Sequence, residues 1–171
     1  GSSAYLCDRL RGIQVVDIED PSNIKEVKIW SNGGQYWENV IKDKIAYVAD
    51  AKNGLELLDI SDPASPGLIT IVPDTKGAIF VQIADNKLSL GTFQGIKVFD
   101  INDPKDPELV ISAGLDGEVW SADVFKNLVF AGVHGVLCFK ISDKKELIQL
   151  ARWTIKGGVH GIIYDGQYIY T

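Results

Sequence analysis

Gly54-Leu-Glu-Leu-Leu-Asp-Ile-Ser-Asp-Pro63 recurs along this chain in four recognisable copies. The others are Gly12-Ile-Gln-Val-Val-Asp-Ile-Glu-Asp-Pro21, Gly95-Ile-Lys-Val-Phe-Asp-Ile-Asn-Asp-Pro104 and Gly135-Val-Leu-Cys-Phe-Lys-Ile-Ser-Asp-Lys144. The leading glycines are spaced by 42, 41 and 40 residues. A period of that size marks a repeat architecture and takes precedence over any reading of single segments. Ahead of each copy lies a short apolar run: Ala4-Tyr-Leu6, Ala46-Tyr-Val48, Leu88-Ser-Leu90 and Leu128-Val-Phe130, with Tyr168-Ile-Tyr170 beginning a fifth. Two further strand-like runs separate one copy from the next, as in Gly67-Leu-Ile-Thr-Ile-Val72 and Ala78-Ile-Phe-Val-Gln-Ile-Ala84. Runs rich in β-branched and aromatic residues between Gly, Pro, Asp and Asn read as strands. The unit is therefore four antiparallel strands in about 41 residues, and the chain is all-β.

Four strands per unit suit either a β-propeller or a stacked β-solenoid. The Gly-led strand decides between them. One face carries Ile13 and Val15, Leu55 and Leu57, Ile96 and Val98, then Val136 and Cys138. The other carries Val16 and Ile18, Leu58 and Ile60, Phe99 and Ile101, then Phe139 and Ile141. A sheet with one wet face alternates apolar and polar residues; a sheet covered on both faces does not. Propeller blades are covered on both faces by their neighbours. The expected organisation is one propeller region over 1–171, with repeats near 1–33, 34–76, 77–116, 117–156 and a partial fifth at 157–171. The overlap of Tyr168-Ile-Tyr170 with the slot of Ala4-Tyr-Leu6 points to a segment of a larger propeller, the alternative being a closed ring of four blades.

Ala46-Tyr-Val-Ala-Asp50 followed by Gly54-Leu-Glu-Leu-Leu-Asp-Ile-Ser-Asp-Pro63 resembles the LVIVD-repeat family, whose units run Ala-Tyr-Val-Ala, then Gly-Leu-x-x-x-Asp-Ile/Val-Ser-x-Pro. The resemblance implies a β-propeller and an extracellular or cell-surface setting, and it implies no catalytic residues. In the usual register of such propellers the innermost strands fall near 35–42, 78–85, 118–126 and 158–165.

The composition bounds the function. The 171 residues are 46% hydrophobic and 23% charged, with 23 acidic against 17 basic side chains and a net charge of −6. Nucleic-acid binding draws on clustered Lys and Arg, whereas here the densest basic pair, Lys144 and Lys145, sits between Asp143 and Glu146. No run is long and apolar enough to insert in a membrane. No metal knuckle, phosphate loop, dinucleotide fingerprint or nucleophile elbow occurs, so no metal, cofactor or catalytic residue is expected. Cys7 and Cys138 fall in slots that small or apolar residues fill in other repeats, which predicts buried thiols.

Residues that recur identically maintain the repeat. Gly12, Gly54, Gly95 and Gly135 open the strand, and Asp17, Asp59 and Asp100 close it, where a carboxylate accepts backbone N–H groups of the following Asp-Pro turn. The fourth copy departs, with Lys140 and Lys144 in place of Asp and Pro. Ligand recognition is sought where the frame varies. Trp37, Phe80, Trp120 and His160 each stand three residues after a glycine on the innermost strand, with Glu38, Asn39, Gln82 and Asp123 beside them. These eight are the candidate channel-mouth residues. The expected function is a non-enzymatic binding or scaffold module that presents loops to a protein or glycan. One alternative is an enzyme or small-ligand binder at the channel mouth, and another is a self-assembling surface-layer or filament component.

Overall fold

The computed structural model describes residues 2–171 and contains strands, turns and no helix. The chain divides into two compact units, one ending at Ala78 and the other running from Ile79 to Thr171.

The first unit holds two antiparallel sheets. One is β1 (Ser3–Asp8), β2 (Gly12–Asp17) and β3 (Lys25–Trp30); the other is β4 (Tyr36–Lys42), β5 (Ile45–Asp50), β6 (Gly54–Asp59) and β7 (Gly67–Ile71), each in sequence order. A buried cluster joins them: Ile13, with Tyr5, Cys7 and Trp30, packs on Tyr36, Ala46, Val48, Leu58 and Ile60.

The second unit holds β8 (Ala78–Ala84), β9 (Lys87–Thr92), β10 (Gly95–Asp100) and β11 (Glu108–Gly114) as one sheet. Beside it lie β12 (Ser121–Phe125), β13 (Leu128–Gly132), β14 (Gly135–Ile141) and β15 (Leu147–Thr154) as another. Phe80, Ile96, Val98 and Ile111 of the first pack on Ala122, Val124, Val129 and Phe139 of the second. A two-stranded piece, β16 (Ile163–Tyr164) and β17 (Ile169–Tyr170), follows. Burying one fully enclosed aliphatic side chain is worth about 1.5–3 kcal/mol, so these clusters are what holds sheet to sheet.

Each sheet repeats the same local devices. The recurring glycines have φ of +130°, +115°, +152° and +150° at Gly12, Gly54, Gly95 and Gly135. A side chain there would also collide with the next strand: a Cβ on Gly12 or Gly135 would lie 2.2 Å from a tryptophan carbonyl oxygen. The glycine is thus required twice, by dihedral and by space. Asp17, Asp59 and Asp100 each accept the N–H two residues on, at 2.9 Å. Asp20, Asp62 and Asp103 repeat that bond one turn later. In the fourth copy, where Lys140 and Lys144 replace the first aspartate and the proline, Ser142 Oγ accepts the Glu146 N–H at 3.1 Å, and Lys145 adopts φ +57°. A register shift recurs at the same place on the Gly-led strand of four sheets, between Val15 and Val16, Leu57 and Leu58, Val98 and Phe99, and Cys138 and Phe139.

Three expectations are corrected. Both faces of β6 and β10 are buried, but Val16 on β2 is only half-buried and Ile18, just past its end, is exposed; within its unit that sheet packs on a single neighbour. The run 158–165 forms a strand only at Ile163–Tyr164. Gly158 and Gly161 interrupt that stretch, and glycine is a poor strand former. Cys7 and Cys138 are half-buried free thiols.

Candidate functional site

In the first unit the candidate residues follow one another on β4. Trp37 is half-buried under the guanidinium of Arg9, whose Cζ lies 3.5 Å from the ring centroid. Glu38 is also half-buried. Asn39 turns its amide away from solvent, and Nδ2 donates to the Tyr5 carbonyl at 3.1 Å and to Cys7 Sγ at 3.2 Å. It therefore ties β4 to β1. Burial pushes the Cys7 thiol up to about 11; the Asn39 bond works against that shift and the Glu38 charge adds to it.

In the second unit Phe80 is 6% exposed and belongs to the core between the two sheets. Gln82 is half-buried on β8. Asp123 is buried on β12, and its oxygens accept the Val124 and Tyr164 N–H groups, both at 2.8 Å. It anchors β16 to β12. Trp120 and His160 do meet, with ring centroids 5.6 Å apart and planes inclined at 49°, and the imidazole is exposed. Asn39, Phe80 and Asp123 have their polar or aromatic groups committed to packing or backbone.

The glycines that open β2, β6, β10 and β14 each follow a short hairpin turn at one end of their sheet. These turns carry different residues in each repeat. Between β1 and β2 they are Arg9, Leu10 and Arg11, and between β5 and β6 Ala51, Lys52 and Asn53. Between β9 and β10 they are Phe93 and Gln94, and between β13 and β14 Val133 and His134. Leu10 is 77% exposed. Arg11 pairs with Asp8 at 3.5 Å, and Tyr36 N–H donates to the Arg9 carbonyl at 2.8 Å, so this turn is held from both sides. An open cavity of about 380 Å³ lies beside Asn53, lined by Ile71, Val72, Pro73, Asp74 and Lys76. A smaller cleft in the second unit is lined by Asp116, His134, Leu137 and Arg152. Among the described residues, no three His, Cys, Asp or Glu side chains gather where they could hold a metal ion.

One polar cluster was not among the candidates. Asp50 and Glu56, both fully buried, meet behind the β5–β6 turn. Asp50 Oδ1 accepts the N–H groups of Gln35, Lys52 and Asn53 at 2.8, 2.7 and 3.1 Å. Glu56 Oε1 accepts Asn32 Nδ2 at 2.8 Å and Asn53 Nδ2 at 3.0 Å. Tyr36 OH donates to Asn32 Oδ1 at 2.7 Å. Burial raises the Glu56 carboxyl above its ordinary range; the two asparagine bonds oppose this and Asp50 adds to it. The equivalent slots in other repeats hold Gln14, Lys97 and Leu137, so the repeat pattern gave Glu56 no prominence. The only sequence signal is a carboxylate within an otherwise apolar strand.

Comparison with known proteins bears on the fold. Residues 1–31 and 33–74 match the LVIVD repeat model. The computationally designed protein Ika8 matches 99% of this chain with a TM-score of 0.74 at 14% identity, and the chain spans 52% of that protein's length. The designed protein Ika4 matches 83% of the chain and 87% of its own length, with a TM-score of 0.63 at 13% identity. The N-terminal domain of Nup159 matches 91% of the chain and 42% of its own length, with a TM-score of 0.52 at 12% identity. At these identities the likeness shows the fold alone. No curated protein matches the chain.

Proposed function

We propose that this chain, which carries LVIVD repeats across residues 1–74 and is built of β-propeller blades, is a non-enzymatic binding module that docks a protein through its hairpin turns. The carrying observation is the contrast between the two ends of the sheets. At the Asp-Pro end the same residues recur and are spent on turn bonds. At the hairpin end, turns of two or three residues present a different set of side chains in each repeat. Loops on a rigid frame are where recognition is varied most cheaply. The β1–β2 turn offers Leu10 between two arginines, with Arg9 stacked on Trp37; Trp and Arg are the residue types that dominate protein-interface energies. The guanidinium covers a ring face on which a sugar would otherwise stack, which favours a protein over a glycan there. An extracellular or cell-surface setting belongs to the same reading and rests on the family resemblance.

Cross-linking of partners from the native source to the wild-type chain and to an Arg9→Glu/Leu10→Asp chain tests this. Both positions are exposed, so thermal unfolding should match. Partners should be lost from the variant and the loss should recur with the purified partner. An identical partner set for both chains overturns the reading. A glycan reading draws instead on Trp120 and His160; sugar binding abolished by Trp120→Ala, with the partner set of the double variant unchanged, would replace the first.

A further inference from the structure

We propose that Asp50 and Glu56 share a single proton at neutral pH, and that this proton latches the loop 31–35 and the turn 51–53 onto the sheet. The geometry sets the problem. Asn53 Nδ2 donates to Asp50 Oδ2 and to Glu56 Oε1, each at 3.0 Å, so those oxygens are at most about 6 Å apart. Neither residue has solvent access. Glu56 Oε1 is satisfied by two amides, but Glu56 Oε2 is buried with no donor. The two carboxyls share the Asn53 amide as a donor, and two ionised carboxylates have no hydrogen to place between them. A neutral Glu56 supplies one: Oε2–H donates to the Asp50 carboxylate and the orphan oxygen is satisfied. Two like charges in one buried site cannot both ionise cheaply.

The surrounding charged groups leave the pair unneutralised. Lys52, on the turn itself, sends Nζ to the Gly33 carbonyl at 2.6 Å. Arg11 is paired with Asp8, and Arg9 lies over Trp37. Lys76 and Asp74, on the segment after β7, line the open cavity. Tyr36, on β4, gives its hydroxyl proton to Asn32. Asp50 Oδ1 already accepts three backbone N–H groups, so its acceptor places are filled by donors of the turn and the loop. Gly34 completes the fit, since a Cβ there would overlap Asp50 Oδ2.

The latch has a defined pH sense. Glu56 holds its proton more tightly in the folded chain than in the unfolded one. Its contribution is complete below the unfolded glutamate value, about pH 4.3, and is lost as pH rises through the folded value. Losing it forces apart the two contacts the loop 31–35 makes with the pair, Asn32 on Glu56 and Gln35 on Asp50.

Glu56→Gln is the direct probe, because its amide donates to Asp50 at every pH. Denaturant unfolding of both chains from about pH 4.5 to about pH 8.5 should show the variant-to-wild-type ratio of folding constants rising by up to about tenfold per pH unit until Glu56 ionises. Hydrogen exchange at Gln35, Lys52 and Asn53 should quicken with pH, beyond the intrinsic rate, in the wild type alone. A ratio independent of pH overturns the proposal. Should the variant not fold, infrared spectra of wild-type chain with isotope-labelled glutamate decide: a neutral-acid carbonyl band at neutral pH supports the shared proton, and its absence refutes it.

Discussion

Gly95→Ala is the perturbation that tests most sharply why the repeats exist. The residue has φ +152°, and an added Cβ would stand 2.1 Å from the Ala113 carbonyl oxygen and 2.9 Å from the Gly114 Cα. Both are backbone atoms of β11, the paired neighbour of β10, so no side chain can swing clear. Ordinary contact begins more than an ångström farther out. Either the methyl group is accommodated at a dihedral that costs an L-residue about 1–2 kcal/mol, or β11 retreats and loses a ladder bond worth about 0.5–1.5 kcal/mol net. Some of both is needed, which gives a destabilisation of about 2–3 kcal/mol. Gly67→Ala is the matched control: that glycine has no neighbour within 4 Å of a Cβ and no positive φ. There the substitution should stabilise by about 0.4–1 kcal/mol through the unfolded chain. Tryptophan fluorescence across a urea gradient, with both variants measured beside the wild type, gives the difference. If Gly95→Ala falls within about 0.5 kcal/mol of Gly67→Ala, steric necessity is not why this glycine recurs.

Two further outcomes follow from buried polar bonds. Cys7, its thiol pushed up to about 11 against a reference of 9.0, carries about 100-fold less thiolate near pH 8 than an unperturbed thiol. Iodoacetamide should modify it about 100-fold more slowly in the folded Cys138→Ser chain than in urea, accelerating about tenfold per pH unit towards pH 11; equal rates in the two states contradict this. Asp123→Ala strips the acceptors from the Val124 and Tyr164 N–H groups. A buried donor left unsatisfied costs about 1–3 kcal/mol, so exchange of the Tyr164 amide should quicken by about 10- to 100-fold while the β9–β10 ladder stays protected. Unchanged exchange at Tyr164 would remove Asp123 from that role.

What the sequence made legible was everything that repeats. The period, the positions of the strands, the strained glycines and the turn-binding aspartates each appear four or three times in one chain, so local chemistry and register reinforce one another. Asp17, Asp59 and Asp100 act within two residues of themselves, a distance that sequence reasoning handles well. The candidate site was less legible because its polar residues act at long range. Asn39 bonds residues 32 and 34 positions away, Asp123 one 41 away, and Glu56 one 24 away. Spacing on a strand cannot indicate such partners. The short β16 shows the opposite limit: the register of the resembled family implied a full strand at 158–165, and with Gly158 and Gly161 in that run only two residues form one.

These long-range bonds share a logic. A frame made of near-identical sheets has an ambiguity that its hydrophobic contacts do not remove, since Leu57, Val98 and Val15 are nearly interchangeable as packing units. Apolar burial is strong and non-directional; it holds two sheets together without choosing the height at which they meet. A buried hydrogen bond chooses, because a donor displaced by one residue is left unpaired at a cost of about 1–3 kcal/mol. Asn39 performs that selection between the first two sheets, reaching Tyr5 and Cys7 from β4. Asp123 performs it between the fourth sheet and β16. In each case the side chain that departs from the repeat, and so invites a ligand-binding role, specifies which strand lies beside it. Under the proposed binding role, recognition would fall to residues that depart from the repeat and reach solvent, and the β1–β2 turn with Leu10 at its tip meets both conditions.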